Sequence, residues 1–326
     1  MSDFFSVHPE MTIEVCIARA ESITGQKVSA LHWQGYHSCT LQSEGGQTVV
    51  QFRSEASPLD QEVMDLARNI HGRLVPKTTR IISPQSETFT VWEMEKLRGV
   101  GFLAIVSSDQ IDKMVKNTVQ DMADFFADAW EHPHNIACEK KAAFAKRTSA
   151  ILGRLAANLP ASLQDHAKET ASKLSEIIEV LPWVLTHGDL SSMNILVDSD
   201  SAHLEGVVDW AEAEILPFGI GLWGFEDILG YADAGGWHWI NDDQGHESRC
   251  SFIRSLLHRI GPVDDKTLAA IETARTLGLL LRYGSDGEDP SPTTERLLGE
   301  LLDRTYMQLQ RSAELIPNGT DRLIKQ

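Results

Sequence analysis

Several features that define whole classes of protein are scarce or missing in this 326-residue sequence. No stretch approaches the roughly 18 apolar residues of a membrane span, and the opening MSDFFSVHPEM has no basic segment followed by an apolar run. The four cysteines include no CxxC pair and lie far apart, at Cys16, Cys39, Cys138 and Cys250. We therefore expect a cytoplasmic protein with reduced thiols and no membrane association.

Positive charge is scarce as well. The chain has 29 Lys and Arg residues against 47 Asp and Glu residues, which gives a net charge of -18. This excess argues against nucleic acid or an anionic membrane as a partner and suits metal ions or cationic ligands better. Between Leu174 and Ser248 there is no Lys or Arg at all. Most acids in this block are interpreted as a solvated surface.

The hydrophobic pattern divides the chain into two parts. A helix ending at Gly25 and short alternating segments around one helix at 57–72 fill the first hundred residues, which predicts a small antiparallel sheet. Beyond RGVG the apolar residues recur at helical spacing, and the strands expected there are NILVD and LEGVVDW, as one hairpin. We therefore expect the α+β class, with a small sheet followed by a mainly helical region.

One apolar segment, LTHGDLSSMNILVD, contains three polar residues, His187, Asp189 and Asn194, and the hairpin that follows ends in Asp209. A polar turn between strands would explain HGD alone. The joint pattern favours a loop that presents one carboxylate to a substrate hydroxyl, with an amide and a second carboxylate aimed at the same place. Oxygen ligands on rigid strands suit Mg²⁺, so the pattern indicates phosphoryl transfer.

These segments, together with GVVDWAEAEILPFG, VVQFR and VWEMEKLRG, resemble the aminoglycoside phosphotransferase and choline kinase family, which has a protein-kinase-like fold. The likeness extends over roughly residues 30–310, and VDWAEAEILPFG is most similar to fungal members. The resemblance implies a two-lobed fold. Residues 1–95 would form the nucleotide-binding lobe, with a hinge near 93–98, and residues 96–326 the helical lobe with the catalytic loop and the acceptor site.

The resemblance also implies roles for single residues. Asp189 would orient the acceptor hydroxyl and accept its proton, while Asn194 and Asp209 would hold Mg²⁺ against the phosphates of ATP. Arg53 lies where the family has Lys or Arg, and Glu62 lies where the partner of that cation is expected. Compared with lysine, arginine keeps the positive charge but replaces a compact ammonium with a planar guanidinium.

The remainder of the implied nucleotide site carries fewer signals. QGYHSCT would cover the phosphates, although its single glycine, Gly35, is far from a GxGxxG pattern. The adenine hinge would lie near Trp92, Glu93, Met94 and Glu95.

Two assignments on the acceptor side stay open. Many relatives have an aspartate that braces the catalytic loop shortly after the proline of ILPFG, and here Glu226 and Asp227 are both candidates that come late. Trp223, Trp237 and Trp239 favour packing in the core, with the alternative that one of them lines the acceptor pocket.

The sequence therefore predicts an ATP-dependent, Mg²⁺-requiring kinase that phosphorylates a hydroxyl of a small molecule, for which a cationic acceptor is one option. A non-catalytic kinase-fold protein that binds nucleotide or ligand is the alternative. A protein kinase is disfavoured because HGDL is followed directly by the VDWAEAE hairpin, which leaves no room for an activation segment. Neither the acceptor nor the oligomeric state follows from these motifs.

Overall fold

The first part of the chain is an antiparallel sheet of five strands in the order β1-β2-β3-β5-β4. The computed structural model describes residues 4–31, 34–82, 88–106, 108, 110–233, 236–241, 243, 245–284 and 292–302. The strands of this sheet are β1 (Val28–Ala30), β2 (Ser38–Ser43), β3 (Thr48–Ser54), β4 (Thr78–Ile81) and β5 (Phe89–Glu95).

Two helices precede the sheet, α1 (Phe4–Val7) and α2 (Ile13–Thr24). Thr12 caps α2 by accepting a hydrogen bond from the backbone N–H of Val15 at 3.3 Å, and the helix ends at Gly25, as predicted. Cys16 on α2 is buried with Phe52 of β3 in a small core of apolar residues. One face of the sheet is thereby covered by the N-terminal segment.

A third helix, α3 (Gln61–His71), is inserted between β3 and β4, where the sequence predicts one. The side chain of Asp60 caps it by accepting from the backbone N–H of Glu62 at 2.7 Å. Met64 and Ala67 on its apolar face belong to the larger hydrophobic core, which it shares with the helical part of the chain.

The remainder of the described chain is mainly helical, so the predicted α+β class is confirmed. The apolar residues of segment 161–181 keep one helical spacing throughout, which indicates a single helix, but the segment is divided at Lys173. The helix over 246–260 was not predicted. Among the described helices, none has the length and apolar character needed to cross a membrane. The helices are α4 (Ile111–Glu131), α5 (Cys138–Asn158), α6 (Ala161–Ser172), α7 (Leu174–Val180), α8 (Trp223–Glu226), α9 (His246–Ile260), α10 (Asp265–Tyr283) and α11 (Pro292–Leu302).

Short strands are interspersed among these helices, and the expectation that they are limited to one hairpin was wrong. The predicted β8–β9 hairpin is present, but β7 also pairs with β10, β11 with β12, and β6 with β8. All four residues of β7 are buried, so the strand carries no alternating pattern. The strands are β6 (Val100–Gly101), β7 (Trp183–Thr186), β8 (Ile195–Val197), β9 (Leu204–Val207), β10 (Glu214–Pro217), β11 (Gly230–Asp233) and β12 (Gly236–Trp239).

Candidate active site

The loop between β7 and β8 is built around a buried histidine. His187 is 3% exposed, its Nδ1 accepts from the backbone N–H of Asp189 at 3.2 Å, and its Nε2 lies 2.9 Å from the carbonyl oxygen of Val208. Because Nδ1 accepts, the proton of the neutral ring is on Nε2 and is donated to Val208. Burial lowers the pKa of His187 to about 4, so the ring is neutral near pH 7. His187 thus ties the loop to the end of β9.

Asp189 and Asn194 face each other across the same loop. The Nδ2 of Asn194 donates to the Oδ2 of Asp189 at 3.0 Å and to its backbone oxygen at 2.8 Å. The backbone N–H of Val208 donates to the carbonyl oxygen of Asn194 at 3.0 Å, which brings this residue beside the end of β9. With its amide nitrogen engaged, Asn194 retains Oδ1 as the atom able to coordinate a cation.

Asp209 follows β9 in an unusual backbone conformation. Its φ of 65° and ψ of 61° are in the left-handed region, which is uncommon for residues other than glycine. Its Oδ1 forms an ion pair with Nη2 of Arg53 at 2.9 Å, and its side chain is 38% exposed. Gly188 also has a positive φ, of 83°, and a Cβ there would lie 2.1 Å from the backbone oxygen of Glu212. The HGD loop therefore packs directly on the segment that follows Asp209.

Arg53 reaches this centre from β3. Its Nη2 donates to Oγ of Ser57 at 2.9 Å and its Nη1 to Oε1 of Gln51 at 3.1 Å, while Nε donates to the backbone oxygen of Ser57. Glu62, predicted as its partner, is not brought to it. Glu62 lies exposed in the first turn of α3, because the face of this helix that turns inward is apolar. The carboxylate beside Arg53 is that of Asp209.

The other residues predicted to bind nucleotide lie in or beside the sheet. Glu93 and Met94 are half-buried in β5, and Glu95 ends this strand in an ion pair with Nη1 of Arg68 at 3.0 Å. Gly35 precedes β2, and a Cβ at this position would lie 2.5 Å from Oγ of Ser38. Their part in binding nucleotide stays a prediction.

The brace of the loop is Asp227, of the two candidates that the sequence offers. Its Oδ2 accepts from the backbone N–H of Ser192 at 2.7 Å, and its Oδ1 accepts from the hydroxyl of Tyr283 at 3.4 Å. Burial raises the pKa of Asp227 above its ordinary value, because its effect outweighs the opposing hydrogen bonds from Ser192 and the charge of Arg282. The loop is thereby tied to α10 as well as to β9.

Glu226 points into the core instead. It is fully buried between two arginines, and its carboxylate oxygens lie 2.5 Å from Nη2 of Arg249 and 2.7 Å from Nη2 of Arg275. Burial alone would raise the pKa of Glu226, but the charges of Arg249 and Arg275 outweigh burial and lower the pKa to about 2. This triad connects α8 to α9 and α10 beside the loop.

Sequence reasoning missed two residues of the site, His71 and Arg282. His71, at the end of α3, stacks on Phe125 at 4.0 Å between ring centroids, and Trp210 lies between it and His187. Burial lowers the pKa of His71 to about 3. Arg282, near the end of α10, forms an ion pair with Oδ1 of Asp189 at 2.8 Å. Neither residue lies in a motif, so no local signal marked them.

The oxygen atoms near Asp209 fit a magnesium ion. Asn194 and Asp209 offer an amide and a carboxylate oxygen, and Mg²⁺ is usually bound by one or two protein ligands together with phosphates and water. Within the described ranges, no group of three or more His, Cys, Asp or Glu side chains is gathered as a metal site. The donor set thus suits a metal ion that arrives with nucleotide phosphates.

Comparison with protein-family models places this centre in a family. The model described as "Phosphotransferase enzyme family" matches residues 51–225, more than half of the chain. The chain belongs to the phosphotransferase enzyme family. The matched segment includes Arg53, Asp189, Asn194 and Asp209, whereas Arg282 lies beyond it. A comparison with curated proteins found no match.

Solved structures of phosphotransferases share the fold. The GDP complex of aminoglycoside 2'-phosphotransferase-IIIa superposes with a TM-score of 0.56 at 16% identity, covering 92% of this chain and 100% of that one. A mutant of aminoglycoside phosphotransferase APH(4)-Ia, bound to ADP and hygromycin B, gives a TM-score of 0.56 at 13% identity and covers 91% and 98%. APH(3'')-Id from Streptomyces rimosus gives 0.51 at 13%, covering 82% and 98%. The predicted kinase-like fold is thereby confirmed.

Proposed function

We propose that this member of the phosphotransferase family transfers the γ-phosphoryl group of ATP to a hydroxyl of a small molecule. The observation that carries the proposal is the cluster of Asp189, Asn194 and Asp209 on one loop and hairpin. Asn194 holds the Asp189 carboxylate at 3.0 Å, and the backbone bond from Val208 keeps Asn194 beside the strand that leads to Asp209. Family membership supports the reaction class.

Asp189 is proposed as the catalytic base. The acceptor oxygen forms a bond to the γ-phosphorus, the bond from this phosphorus to the β,γ-bridging oxygen breaks, and ADP leaves with the electron pair. The hydroxyl proton passes to the carboxylate of Asp189. Asn194 donates to Oδ2, which has a second lone pair for the incoming hydroxyl, whereas Oδ1 is buried beside Nη2 of Arg282.

We propose that residues 1–95 bind the nucleotide and residues 96–326 the acceptor. Arg53 would contact the phosphates, and Gly35, Glu93, Met94 and Glu95 would form the remainder of the nucleotide site. Glu62 has no role in this proposal. Asn194 and Asp209 would hold Mg²⁺, which when bound neutralises charge on the phosphates. Two of the similar solved structures contain GDP and ADP, which supports a nucleotide co-substrate.

The acceptor is proposed to be a small molecule, as is the hygromycin B bound by one of the similar structures. The Lys- and Arg-free block at 174–248 favours a cationic acceptor through its overall charge. In the structure, however, the two carboxylates of the centre each face an arginine. The charge of the acceptor is therefore decided by local contacts more than by the net charge of the chain.

A two-step assay tests the proposal. Thermal unfolding is first measured with and without Mg-ATP, and a rise in Tm reports nucleotide binding. ADP release is then measured with pools of hydroxy acids, polyols, sugars and amino sugars, for the wild type and for Asp189→Asn. We expect acceptor-dependent ADP release that the variant loses. A Tm rise without ADP release from any pool would favour the non-catalytic binding protein.

A further inference from the structure

Arg282 is held in place at the proposed acceptor side of Asp189. Its guanidinium lies over the ring of Trp223, with Cζ 4.6 Å from the ring centroid. Trp223 is buried and meets Tyr283 edge to face at 6.3 Å, and the hydroxyl of Tyr283 donates to Asp227. A guanidinium stacked on an aromatic ring has few orientations open to it, so this contact fixes where its donors point.

Most donors of Arg282 are available to a ligand. Among the residues that the structure describes, its polar contact is the one from Nη2 to Asp189, whereas a guanidinium has five N–H donors. The side chain is 35% exposed. By contrast, the buried arginines of the neighbouring triad, Arg249 and Arg275, use their donors on Glu226. Arg282 is therefore a preoriented cation that faces the proposed reaction centre.

A hydroxyl that donates to Oδ2 of Asp189 lies on the same carboxylate that Arg282 contacts, because Nη2 is 2.8 Å from the adjacent, buried Oδ1. A productive hydrogen bond is about 3 Å long, so the hydroxyl oxygen would lie within several ångströms of Nη2. A carboxylate one or two carbons from the hydroxyl-bearing carbon can then accept from Arg282 while the hydroxyl donates to Asp189. Arginine binds carboxylates through parallel, charge-assisted hydrogen bonds.

We propose that Arg282 selects an acceptor with a carboxylate group one or two carbons away from the phosphorylated hydroxyl, such as a 2- or 3-hydroxy acid or a sugar acid. This inference rests on the proposed function and specifies its substrate class. A cationic group at this position would face the guanidinium, and such like-charge contacts are unfavourable. The carboxyl of Glu212 also lies near this centre, where burial and the charge of Asp189 raise its pKa. Beside Asp189, Asp209 and Glu212, a group with a single negative charge is repelled less than a doubly charged phosphate.

Matched probes of one skeleton test the inference. The first set is glycerate, glycerol and 3-amino-1,2-propanediol, and the second is glucuronate, glucose and 6-amino-6-deoxyglucose. Kd is measured by calorimetry in the presence of Mg-ADP, and ADP release with Mg-ATP. The proteins are the wild type, Arg282→Gln, Arg282→Lys and the control Lys116→Gln, which removes an exposed charge on α4.

We expect the carboxylate to bind at least tenfold more tightly than its neutral and amine partners in at least one set. Arg282→Gln should remove this preference, Arg282→Lys should keep part of it because the charge remains, and Lys116→Gln should keep all of it. A purely structural role for Arg282 would weaken all members of a set equally, and that result would overturn the inference. An equal or stronger affinity for the neutral or amine probes in both sets would overturn it as well.

The two proposals fail in different ways. Carboxylate binding that depends on Arg282 without ADP release would count against phosphoryl transfer and leave the selection of a carboxylate in place. ADP release with the amine or neutral probes, but not with the carboxylates, would leave phosphoryl transfer in place and overturn the carboxylate inference.

Discussion

The sheet side and the helical side of the site each supply one arginine to one carboxylate, and the two arginines are held differently. Arg53 is 5% exposed, and it donates to Ser57 and Gln51 as well as pairing with Asp209. Arg282 is 35% exposed, and within the described chain it pairs with Asp189 alone. Among the described residues, Arg53 has a fixed position with one N–H donor on Nη1 left for a phosphate, whereas Arg282 has most of its donors open to a ligand. The acceptor side is thus the side where the described structure leaves more arginine donors open to a ligand.

The largest expected effect concerns Asp189, the carboxylate on the acceptor side. Asp189→Asn should lower kcat by about 10³- to 10⁴-fold, because the variant keeps the side-chain shape but removes the proton acceptor. ADP release and Tm are measured together, and Tm should change by less than about 3 °C. Asp165→Asn, at an exposed site on α6, is the matched control. Near-normal turnover in Asp189→Asn would contradict the assignment.

The second effect concerns the support of α10, the helix that carries Arg282. Glu226→Gln removes the buried negative charge that Arg249 and Arg275 share, although Arg275 keeps Glu272 at 3.3 Å, and it should lower the free energy of unfolding by about 3 to 5 kcal/mol. Urea unfolding measures this change. Glu169→Gln breaks an exposed pair with Lys173 and should cost less than about 1 kcal/mol. Equal losses in the two variants would show that the buried triad does not anchor α10.

The third effect is a pH dependence of the free energy of unfolding, which comes from two buried histidines. Burial lowers the pKa of His187 from 6.5 to about 4 and that of His71 to about 3. Between pH 6.5 and pH 4 the unfolded chain therefore binds more protons than the folded one. The stability that the neutral rings provide is complete above pH 6.5 and is lost as the pH falls towards 4, by about 3 kcal/mol for each ring.

His71→Phe keeps an aromatic ring against Phe125 and removes one of the two titrating groups. The slope of unfolding free energy against pH, measured by urea unfolding between pH 6.5 and 4, should fall by about half. A slope identical to that of the wild type would show that His71 does not titrate in this way.

The smallest expected effect tests the comparison of the two arginines directly. Arg53→Gln should raise the KM for Mg-ATP by about 10- to 100-fold, because a charge-assisted contact to phosphate is lost. Arg282→Gln should leave this KM within about twofold of the wild type. Steady-state kinetics with varied nucleotide at saturating acceptor gives both values. An equal rise in both variants would mean that the two arginines do not serve separate substrates.

The sequence was most informative where the chemistry is local. Asp189, Asn194 and Asp209 lie within 21 residues of each other in a loop and hairpin, so their spacing alone indicated the cluster. Arg282 and His71 come to the site from α10 and α3 through tertiary packing, which leaves no mark in a motif. The pairing of Arg53 with Asp209 rather than with Glu62 depends on how α3 turns its apolar face inward.

The same contrast holds for the fold. Hydrophobic periodicity predicted the N-terminal sheet and most of the long helices, though not α9. By contrast, β7 and β10 are four-residue strands whose pairing is set by contacts between distant segments. The division of segment 161–181 at Lys173 is likewise invisible to a pattern that continues at helical spacing through both halves.

A crystal structure with Mg²⁺ and a non-hydrolysable ATP analogue tests the central claim most directly. We expect a metal ion bound by Asn194 and Asp209, Arg53 in contact with a phosphate, and the γ-phosphate facing Asp189 across a gap that a hydroxyl can fill. A metal ion bound elsewhere, or a γ-phosphate that lies away from Asp189, would contradict the account.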